Sequence, residues 1–291
     1  MVTVHDTGQV RGGIGLAAER LGHGPAVLVT TASDHVALRT PTRPDHFSGN
    51  AIHLFAPPAA VRPWLKRHAD SIGHLPGVDG AFLCWEVPVD VVADGDLASL
   101  LPDDVPEDAT VEAVSAMVWR PDLRETDATT RLAALAALDV VEPGGLDIRS
   151  GADEHVMAGA RALYLQAGWG TDVDYWRWHM AQQRDLMVAG RCDVWVAYAM
   201  GIPAGRASLM HDRQGLAIVE DVVTHPLHRR KGLASALVVH AMRHHLATHP
   251  DDAVVIRADA IGPARRVYER LGFVTVATDI CLRTGASGDH G

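Results

Sequence analysis

The segment VEDVVTHPLHRRKGLASAL, residues 219–237, constrains the fold more than any other part of the chain. A β-favouring run ends at Pro226, and Arg229 follows three residues later as the start of an R-x-x-G-x-A pattern through Gly232 and Ala234. Proline cannot donate a hydrogen bond within a sheet. After Gly232 the apolar residues recur at spacings of three and four, as on one face of a helix. The pattern predicts a strand, a tight turn and an amphipathic helix that packs on a sheet.

Such a turn directs several unpaired backbone N–H groups of the helix N-terminus towards one point, and the helix dipole adds partial positive charge there. This geometry suits a pyrophosphate group. Gly232 permits close approach of the backbone, Ala234 keeps the wall small, and Arg229, Arg230 and Lys231 supply positive charge. Taken alone, a glycine at the start of a helix is equally typical of a plain turn before a packing helix.

A second motif, ADAIGPARRVYERLGF at residues 258–273, begins one strand further along the chain. Its apolar residues recur at i, i+3, i+4 and i+7 and predict another amphipathic helix: Ala264, Val267, Tyr268 and Leu271. Gly272 is the expected cap at the C-terminal end of this helix.

In this order and at this spacing, T-x-P-x-x-R-x-x-G-L-A and A-R-R-V-Y-E-R-L-G-F resemble the paired motifs of the GNAT superfamily of acetyltransferases. The resemblance is strong over about residues 190–282 and weaker back to residue 146. It implies an α/β fold with an α+β mixed sheet, the GNAT acyl-CoA N-acyltransferase fold, in the C-terminal half. That sheet would be splayed between the strand ending at Thr224 and the strand at 254–258. Acetyl-CoA is the implied acyl donor, and no metal is implied.

The same resemblance implies which residues hold acetyl-CoA. Main-chain groups at the end of the first strand would pair with the pantetheine arm and the acetyl carbonyl, and the amides of the turn would hold the diphosphate. The cofactor-binding residues expected on this basis are Val222, Val223, Thr224, Arg229, Arg230, Lys231, Gly232, Leu233, Ala234, Ser235, Ala264 and Tyr268.

Acetyl transfer to an amine requires a base, or a water chain, to take the amine proton and an acid to protonate the leaving thiolate. Tyr268 matches the family's tyrosine at the thiolate, although a half-buried core tyrosine is the alternative. Glu220 matches a position that is often acidic in the family and acts on the amine through water. Strand alternation predicts that Glu220 shares a face with Val222 and Thr224 and that Asp221 points to the other side. Asp221 and a plain solvated carboxylate at Glu220 are the competing interpretations.

Two positions depart from the family pattern. Ile261 stands where an asparagine is often found, which removes one polar contact to the pantetheine. Thr224 replaces the usual valine two residues before Pro226, with little effect expected because its backbone makes the contact.

Other candidate sites are weaker. His240 and His244 lie four apart on a predicted helix, a spacing that can bind a metal, but a solvated helix face is the better interpretation. Aromatic residues cluster in GWGTDVDYWRW, where the family's first helices cover the acceptor site: Trp169, Tyr175, Trp176 and Trp178. They could form an aromatic wall for a substrate, and helix packing is the alternative that we favour.

The chain divides near residue 142, where the periodic pattern loosens. Residues 1–142 carry 20 acidic and 10 basic side chains, against 16 and 16 in residues 143–291. The order of strands and helices in the first half, with GNAIHLFAPP before a Trp-containing helix, resembles the degenerate N-terminal domain of two-domain GNAT proteins. We therefore expect a degenerate GNAT-like or accessory domain at 1–142 and a catalytic GNAT domain at 143–291. The first would shape the acceptor cleft or a dimer surface.

Net charge is −10, which argues against a nucleic-acid partner. No apolar stretch of membrane-spanning length and no secretion signal are recognisable, and the three cysteines, Cys84, Cys192 and Cys281, are far apart in sequence, so we expect a cytoplasmic protein without a membrane partner. The predicted function is N-acetyl transfer from acetyl-CoA to a primary amine of a small molecule, by direct attack in a ternary complex. A non-catalytic acyl-CoA-binding regulatory module and a protein-amine acceptor remain alternatives, and a homodimer is compatible with the family.

Overall fold

Eleven strands form one mixed sheet in the computed structural model, which describes residues 13–78, 80–89, 97–120, 128–138, 140, 146–169 and 172–285. The strands are β1 (Leu28–Thr31), β2 (His35–Arg39), β3 (Ile52–Leu54), β4 (Phe82–Pro88), β5 (Thr110–Trp119), β6 (Leu146–Ser150), β7 (Cys192–Ala199), β8 (Ile202–His211), β9 (Leu216–Thr224), β10 (Ala253–Asp259) and β11 (Phe273–Arg283). The α-helices are α1 (Ile14–Glu19), α2 (Arg62–Ser71), α3 (Ala128–Ala136), α4 (Glu154–Ala167), α5 (Val173–Val188), α6 (Leu233–Leu246) and α7 (Pro263–Arg270).

The spatial order of the strands is β1-β2-β3-β4-β11-β5-β10-β9-β8-β7-β6. Helices α3, α6 and α7 cover one face of the part of the sheet that belongs to the second half, and α1, α4 and α5 cover the other face. None of the helices in the described ranges is both long and apolar enough to cross a bilayer.

The second half begins as an antiparallel meander and ends in a parallel pair. Strands β6 to β9 pair antiparallel, and helix α6 then crosses over to place β10 parallel to β9. The β7–β8 hairpin turns at Met200 and Gly201, which both have positive φ, and β8 begins at Ile202. The apolar stripe predicted for α6 is buried, from Leu233 to His245.

The first half repeats this topology. Strands β1 to β3 pair antiparallel, and β4 is parallel to β3 after a crossover that contains α2. An antiparallel run followed by a parallel pair is thus present in both halves. The repeat agrees with the expected tandem GNAT architecture.

The last strand of each half is exchanged. Strand β5, from the first half, lies between β10 and β11, and β11 lies between β5 and β4. The predicted boundary at residue 142 falls outside the described residues, but the sheet itself runs without a break from one half to the other. A single long strand, β11, follows α7 and pairs with two strands of the first half, β4 and β5.

The exchange brings together two cysteines that are distant in sequence. Cys84 on β4 is directly opposite Cys281 on β11, with 2.8 Å between the two sulfur atoms. All three cysteines are buried and free.

The glycine-rich RGGIG segment, of which residues 11 and 12 lie outside the described residues, leads directly into α1. A Cβ atom added to Gly15 would lie 2.4 Å from a carboxylate oxygen of Asp279. These glycines therefore allow α1 to pack closely against the central strands.

Candidate functional site

The sheet opens between β9 and β10. The two strands pair in parallel only from Leu216 with Ala253 to Val219 with Ile256. Beyond these pairs, residues 220–224 of β9 have no backbone pairing with β10 within the described part of the chain. The β10-facing edge of this segment is therefore available to another extended group, as the splayed-sheet expectation requires.

A β-bulge lies at the opening. Asp221 has a φ of 54°, and the register between β8 and β9 shifts between Arg206 and Ser208. The extra residue breaks the alternation on which the sequence prediction relied. Val222 packs on the α6 face and Val223 on the α5 face, and Glu220 and Asp221 both line the cavity on the α5 face. The predicted facing was therefore wrong: Asp221 points to the same side as Glu220, and Val222 does not.

This cavity has a volume of about 640 Å³ and is enclosed by both halves of the chain. The first half contributes α1 with the turn after it and the loop around His46, and the second half contributes β9, β10 and α5. No sequence motif marks the residues of the first half that line the cavity, because they reach it only through the tertiary packing.

Asp221 is held by a buried polar network. The Ser208 hydroxyl donates to it at 3.1 Å and the Gln183 side-chain amide donates to the same oxygen, while the Arg206 guanidinium and His179 lie 3.6 and 3.5 Å away. Burial opposes ionisation, but Arg206 and then His179 outweigh it and hold the pKa of Asp221 well below its usual range. Asp221 is therefore an ionised, fully partnered carboxylate and a weak base.

Glu220 has the opposite environment. It is half-buried and has no ion-pair partner among the described residues. Burial, together with the negative charge of Asp221, raises the pKa of Glu220 to about 8. A carboxylate whose pKa lies near neutral pH accepts a proton effectively, since it is basic and still partly ionised.

Tyr268 lies on the opposite face of the sheet, with 6% of its surface exposed. It lies on α7 and packs in the core that this helix shares with α6, with its ring centre 6.2 Å from that of Phe273. Burial, followed by the charge of Glu220, raises the pKa of Tyr268 above its usual value, so the phenol keeps its proton. The charge of Glu220 thus acts on a group across the sheet as well as on the cavity.

The loop between β9 and α6 has the conformation that the motif predicts. A short 3₁₀ turn covers Pro226–His228, and Arg230 and Gly232 then have φ values of 63° and 81°. No side chain caps the N-terminus of α6. The Arg229 guanidinium donates to the carbonyl groups of Thr224 and Ala167, at 3.3 and 3.2 Å, so it fixes this loop to the surrounding strand and helix.

The remaining predicted residues surround this loop. Lys231 donates to the Leu227 carbonyl at 3.0 Å, and Arg230 and Lys231 are both exposed. Leu233 is buried, whereas Ala234 and Ser235 are half-buried on the first turn of α6. Ala264 packs half-buried at the start of α7.

Ile261 is 94% exposed just before α7. Gly272, with a φ of 87°, follows the end of this helix as the sequence indicated. The apolar side chain at 261 thus projects from the loop between β10 and α7.

The aromatic cluster is divided between packing and the cavity. Trp176 stacks on Tyr164 with their ring centres 3.9 Å apart, and only 8% of it is exposed. Trp169 is 40% exposed and lines the cavity, as do Tyr175 and Trp178. Both interpretations of the cluster therefore apply, and Trp176 itself packs in the core and also contributes to the cavity lining.

A group of possible metal ligands lies elsewhere, at the end of the sheet near β8 and α6. His211, His245 and Asp252 are buried, with ligand atoms within 4.8 Å of one another. His245 already forms a 2.9 Å hydrogen bond with Asp252. His244, one of the two histidines considered from sequence, instead lies 3.9 Å from Asp193 on the surface.

Comparison with known proteins agrees with this architecture. Residues 190–275 match the family model described as "Acetyltransferase (GNAT) domain". No curated protein matches the sequence.

Solved structures extend the similarity to most of the chain. A conserved protein of unknown function from Staphylococcus epidermidis has a TM-score of 0.62 at 13% identity, with 89% of this chain and 93% of that chain covered. A protein from Novosphingobium aromaticivorans, assigned to the GNAT acetyltransferase family, has a TM-score of 0.52 at 16% identity, covering 95% and 97%.

A tandem GNAT protein from the clavulanic acid biosynthesis pathway has a TM-score of 0.56 at 13% identity, covering 95% of this chain and 88% of that chain. At these identities the similarity concerns the fold. The family match, the opened β9–β10 pair and the repeated topology lead to one conclusion: residues 190–275 form a GNAT acetyltransferase domain, and the chain as a whole has the fold of solved two-domain, tandem GNAT proteins.

Proposed function

We propose that this protein is an N-acetyltransferase that transfers an acetyl group from acetyl-CoA to a primary amine of a small molecule, by direct attack in a ternary complex. One observation carries the proposal. Glu220 stands at the opening between β9 and β10, where it lines the cavity on one face and acts electrostatically on Tyr268 on the other. In this proposal Glu220 is the base on the cavity side of the sheet, and Tyr268 is the acid on the other side.

The residues around the loop fit acetyl-CoA. Gly232 has left-handed backbone and no Cβ, and the first amides of α6 carry no side-chain cap, so they can take the diphosphate. The edge of β9 from Val222 to Thr224 would take the pantetheine arm in place of a strand. Arg230 and Lys231 are exposed beside the loop and would supply positive charge.

Bound acetyl-CoA supplies a thioester whose carbonyl carbon the amine attacks. A carboxylate oxygen of Glu220, directly or through water, takes the proton from the amine in the cavity. The Tyr268 hydroxyl, kept protonated by its burial, donates its proton to the departing sulfur. Asp221 remains ionised throughout because Arg206 and His179 neutralise it, and its negative charge keeps Glu220 basic.

The first half contributes structure to this site. We propose that residues 1–142 are a degenerate GNAT-like domain that closes the acceptor cleft and that residues 143–291 hold the donor. The described residues of the first half form part of the cavity wall. Their crossover helix, α2, is not preceded by a glycine loop like that at Gly232. A cytoplasmic location supplies acetyl-CoA and a reducing environment for the three free cysteines.

The test combines donor binding with turnover. Calorimetry should detect CoA binding to the wild type and to Tyr268→Phe with similar affinity. Thiol release from acetyl-CoA in the presence of a panel of amines should then fall by about 100-fold or more in Tyr268→Phe, because general acid catalysis contributes about this much. A matched control is Tyr198→Phe, on β7 and outside the cavity lining.

Each alternative predicts a different result. A non-catalytic acyl-CoA-binding module would bind CoA but release no thiol with any amine. A protein acceptor would show turnover only with lysine-containing or N-terminal peptide substrates. Absence of CoA binding would refute the proposed function altogether.

A further inference from the structure

The cavity contains negative charge that the protein itself does not neutralise. Seven acidic side chains line it: Glu19, Asp45, Glu112, Asp172, Glu220, Asp221 and Asp259. Four of them pair with arginines: Glu19 with Arg257, Asp45 and Asp172 with Arg43, and Asp221 with Arg206. Glu112, Glu220 and Asp259 have no ion-pair partner in the described residues.

These three carboxylates come from neighbouring strands. Asp259 on β10 is opposite Val114 on β5, and Glu112 lies two residues further along β5 on the same face. Diagonal neighbours of this kind have Cα atoms about 7–8 Å apart. Glu220 lies on β9, the next strand, one residue beyond its last pair with β10. One wall of the cavity therefore presents the carboxylates of Glu112 and Asp259 at its exposed rim, and at the opening in the sheet it presents Glu220, which is only partly ionised near neutral pH.

Positive charge does not compensate for them. Among the described residues, the only lysine or arginine in the cavity wall is Arg257, and its guanidinium already contacts Asp279 at 2.9 Å and Glu19 at 3.2 Å. Two imidazoles of the wall are neutral at pH 7, because burial lowers the pKa of His23 to about 4 and that of His46 well below its usual value. His179, also in the wall, already contacts Asp221 at 3.5 Å.

The opposite wall is aromatic. Trp169, Tyr175 and Trp178 line it from α5 and the segment before it, and His46 of the first half lies with its ring 4.8 Å from that of Trp178. Aromatic faces attract cations, and they also provide flat apolar surface for a ring. The cavity volume of about 640 Å³ lies in the range of small-molecule sites.

We propose that the acceptor is an arylalkylamine-like compound: a cationic primary amine attached to a flat apolar body and without a carboxylate of its own. This inference rests on the proposed function. The ammonium group enters among the unpaired carboxylates, releases one proton to water and reacts at Glu220 as the free amine. The apolar body lies against Trp169, Tyr175 and Trp178. A carboxylate on the acceptor would meet Glu112 and Asp259 without a counter-charge, so α-amino acids are excluded.

The first experiment compares acceptors that differ in one group. Thiol release from acetyl-CoA is measured with 2-phenylethylamine, phenylalaninamide, phenylalanine and 1,4-diaminobutane at one pH. We expect kcat/KM for 2-phenylethylamine to exceed that for phenylalanine by at least about tenfold, with phenylalaninamide, which has the bulk but not the charge, much closer to the amine. The diamine should be poorer because it lacks the ring. Equal or faster turnover of phenylalanine or of the diamine would overturn the proposal.

The second experiment uses matched variants. Glu112→Gln should raise KM for 2-phenylethylamine about three- to tenfold with little change in kcat, since it removes rim charge and leaves Glu220 in place. Glu107→Gln, exposed and outside the cavity lining, is the control. Trp169→Leu should raise KM by a similar factor. Trp64→Leu, on α2 and away from the cavity, should not. A change in the controls as large as in the cavity variants, or none in either, contradicts the assignment.

Failure of this inference is distinguishable from failure of the proposed function. If CoA binds and other amines are acetylated while 2-phenylethylamine is not, only the acceptor class is wrong. If no amine reacts, titration of the CoA complex with 2-phenylethylamine, followed by tryptophan fluorescence, provides the second measurement. Binding that is weakened in Trp169→Leu supports the acceptor site, and absence of binding refutes it.

Discussion

Replacement of Glu220 by glutamine should make the protein more stable at alkaline pH and inactive. The pKa of Glu220 is raised from 4.5 to about 8 by burial and by Asp221. Between these two pH values the folded protein keeps a proton that the unfolded chain has lost, so stability falls as the pH rises from about 4.5 to about 8. Glutamine has nearly the same shape and no charge, and the variant is free of this loss.

The size of the effect follows from the shift. A shift of this size corresponds to about 5 kcal/mol for a fully buried group. Water reaches the half-buried Glu220 and screens its charge, so we expect about 2 kcal/mol at pH 8. For a chain of this size, that raises the melting temperature by roughly 4–8 °C at pH 8, and by much less at pH 5.

Calorimetric melting of the two proteins at pH 5 and pH 8 measures the stability effect. In the wild type, kcat/KM should rise with pH through an apparent pKa near 8. Glu220→Gln should be about 100-fold or more less active, and its kcat/KM should lack this rising limb of the pH profile. The comparison needs two acceptors of different amine pKa, since the amine also titrates. A variant that is less stable than the wild type at pH 8, or that keeps the limb, would refute both the desolvation argument and the role as base.

Three other outcomes are expected. Gly232→Val should weaken CoA binding in calorimetry by about tenfold or more, because Gly232 has a φ of 81° and a side chain would be strained there by about 1–2 kcal/mol; unchanged affinity would argue against the loop as the diphosphate site. Arg206→Met should lower the melting temperature by roughly 10 °C. Loss of this fully buried guanidinium leaves the Asp221 carboxylate without its main counter-charge, at a cost of about 3–5 kcal/mol. Additional replacement of Asp221 by Asn should recover much of the lost stability. Residues 143–291 expressed alone should lack a cooperative thermal transition because β5 is missing between β10 and β11, and co-expression with residues 1–142 should restore it; a folded, CoA-binding fragment would contradict the exchanged topology.

The loop between β9 and α6 was predictable from sequence because its determinants are local. Pro226 ends the strand, Gly232 supplies the left-handed residue, and the apolar stripe after it orients α6. The same holds for α7 with its terminal Gly272. Each of these signals acts within a few residues, so the printed order of amino acids is enough to indicate the structure.

The bulge at Asp221 could not be predicted in this way. Alternation along β9 depends on its register with β8. That register shifts by one residue next to the buried Arg206, whose guanidinium forms an ion pair with the Asp221 carboxylate. Arg206 lies on a different strand, and Gln183, which also binds Asp221, lies on α5. Only the folded chain shows that Glu220 and Asp221 face one cavity and have opposite electrostatic environments.

The exchanged strands give the first half a structural role that does not depend on a loop like that at Gly232. Strand β5 is buried over Ser115–Trp119 and supplies the pairing that β10 and β11 need on their inner edges. The same half places Glu112, His46 and α1 around the cavity. These contributions do not require a loop like that at Gly232. Loss of the first half, in contrast, would expose the edge of β10 and open the cavity to water. Selection on the first half therefore acts through the sheet and the acceptor wall, and these regions should tolerate change least.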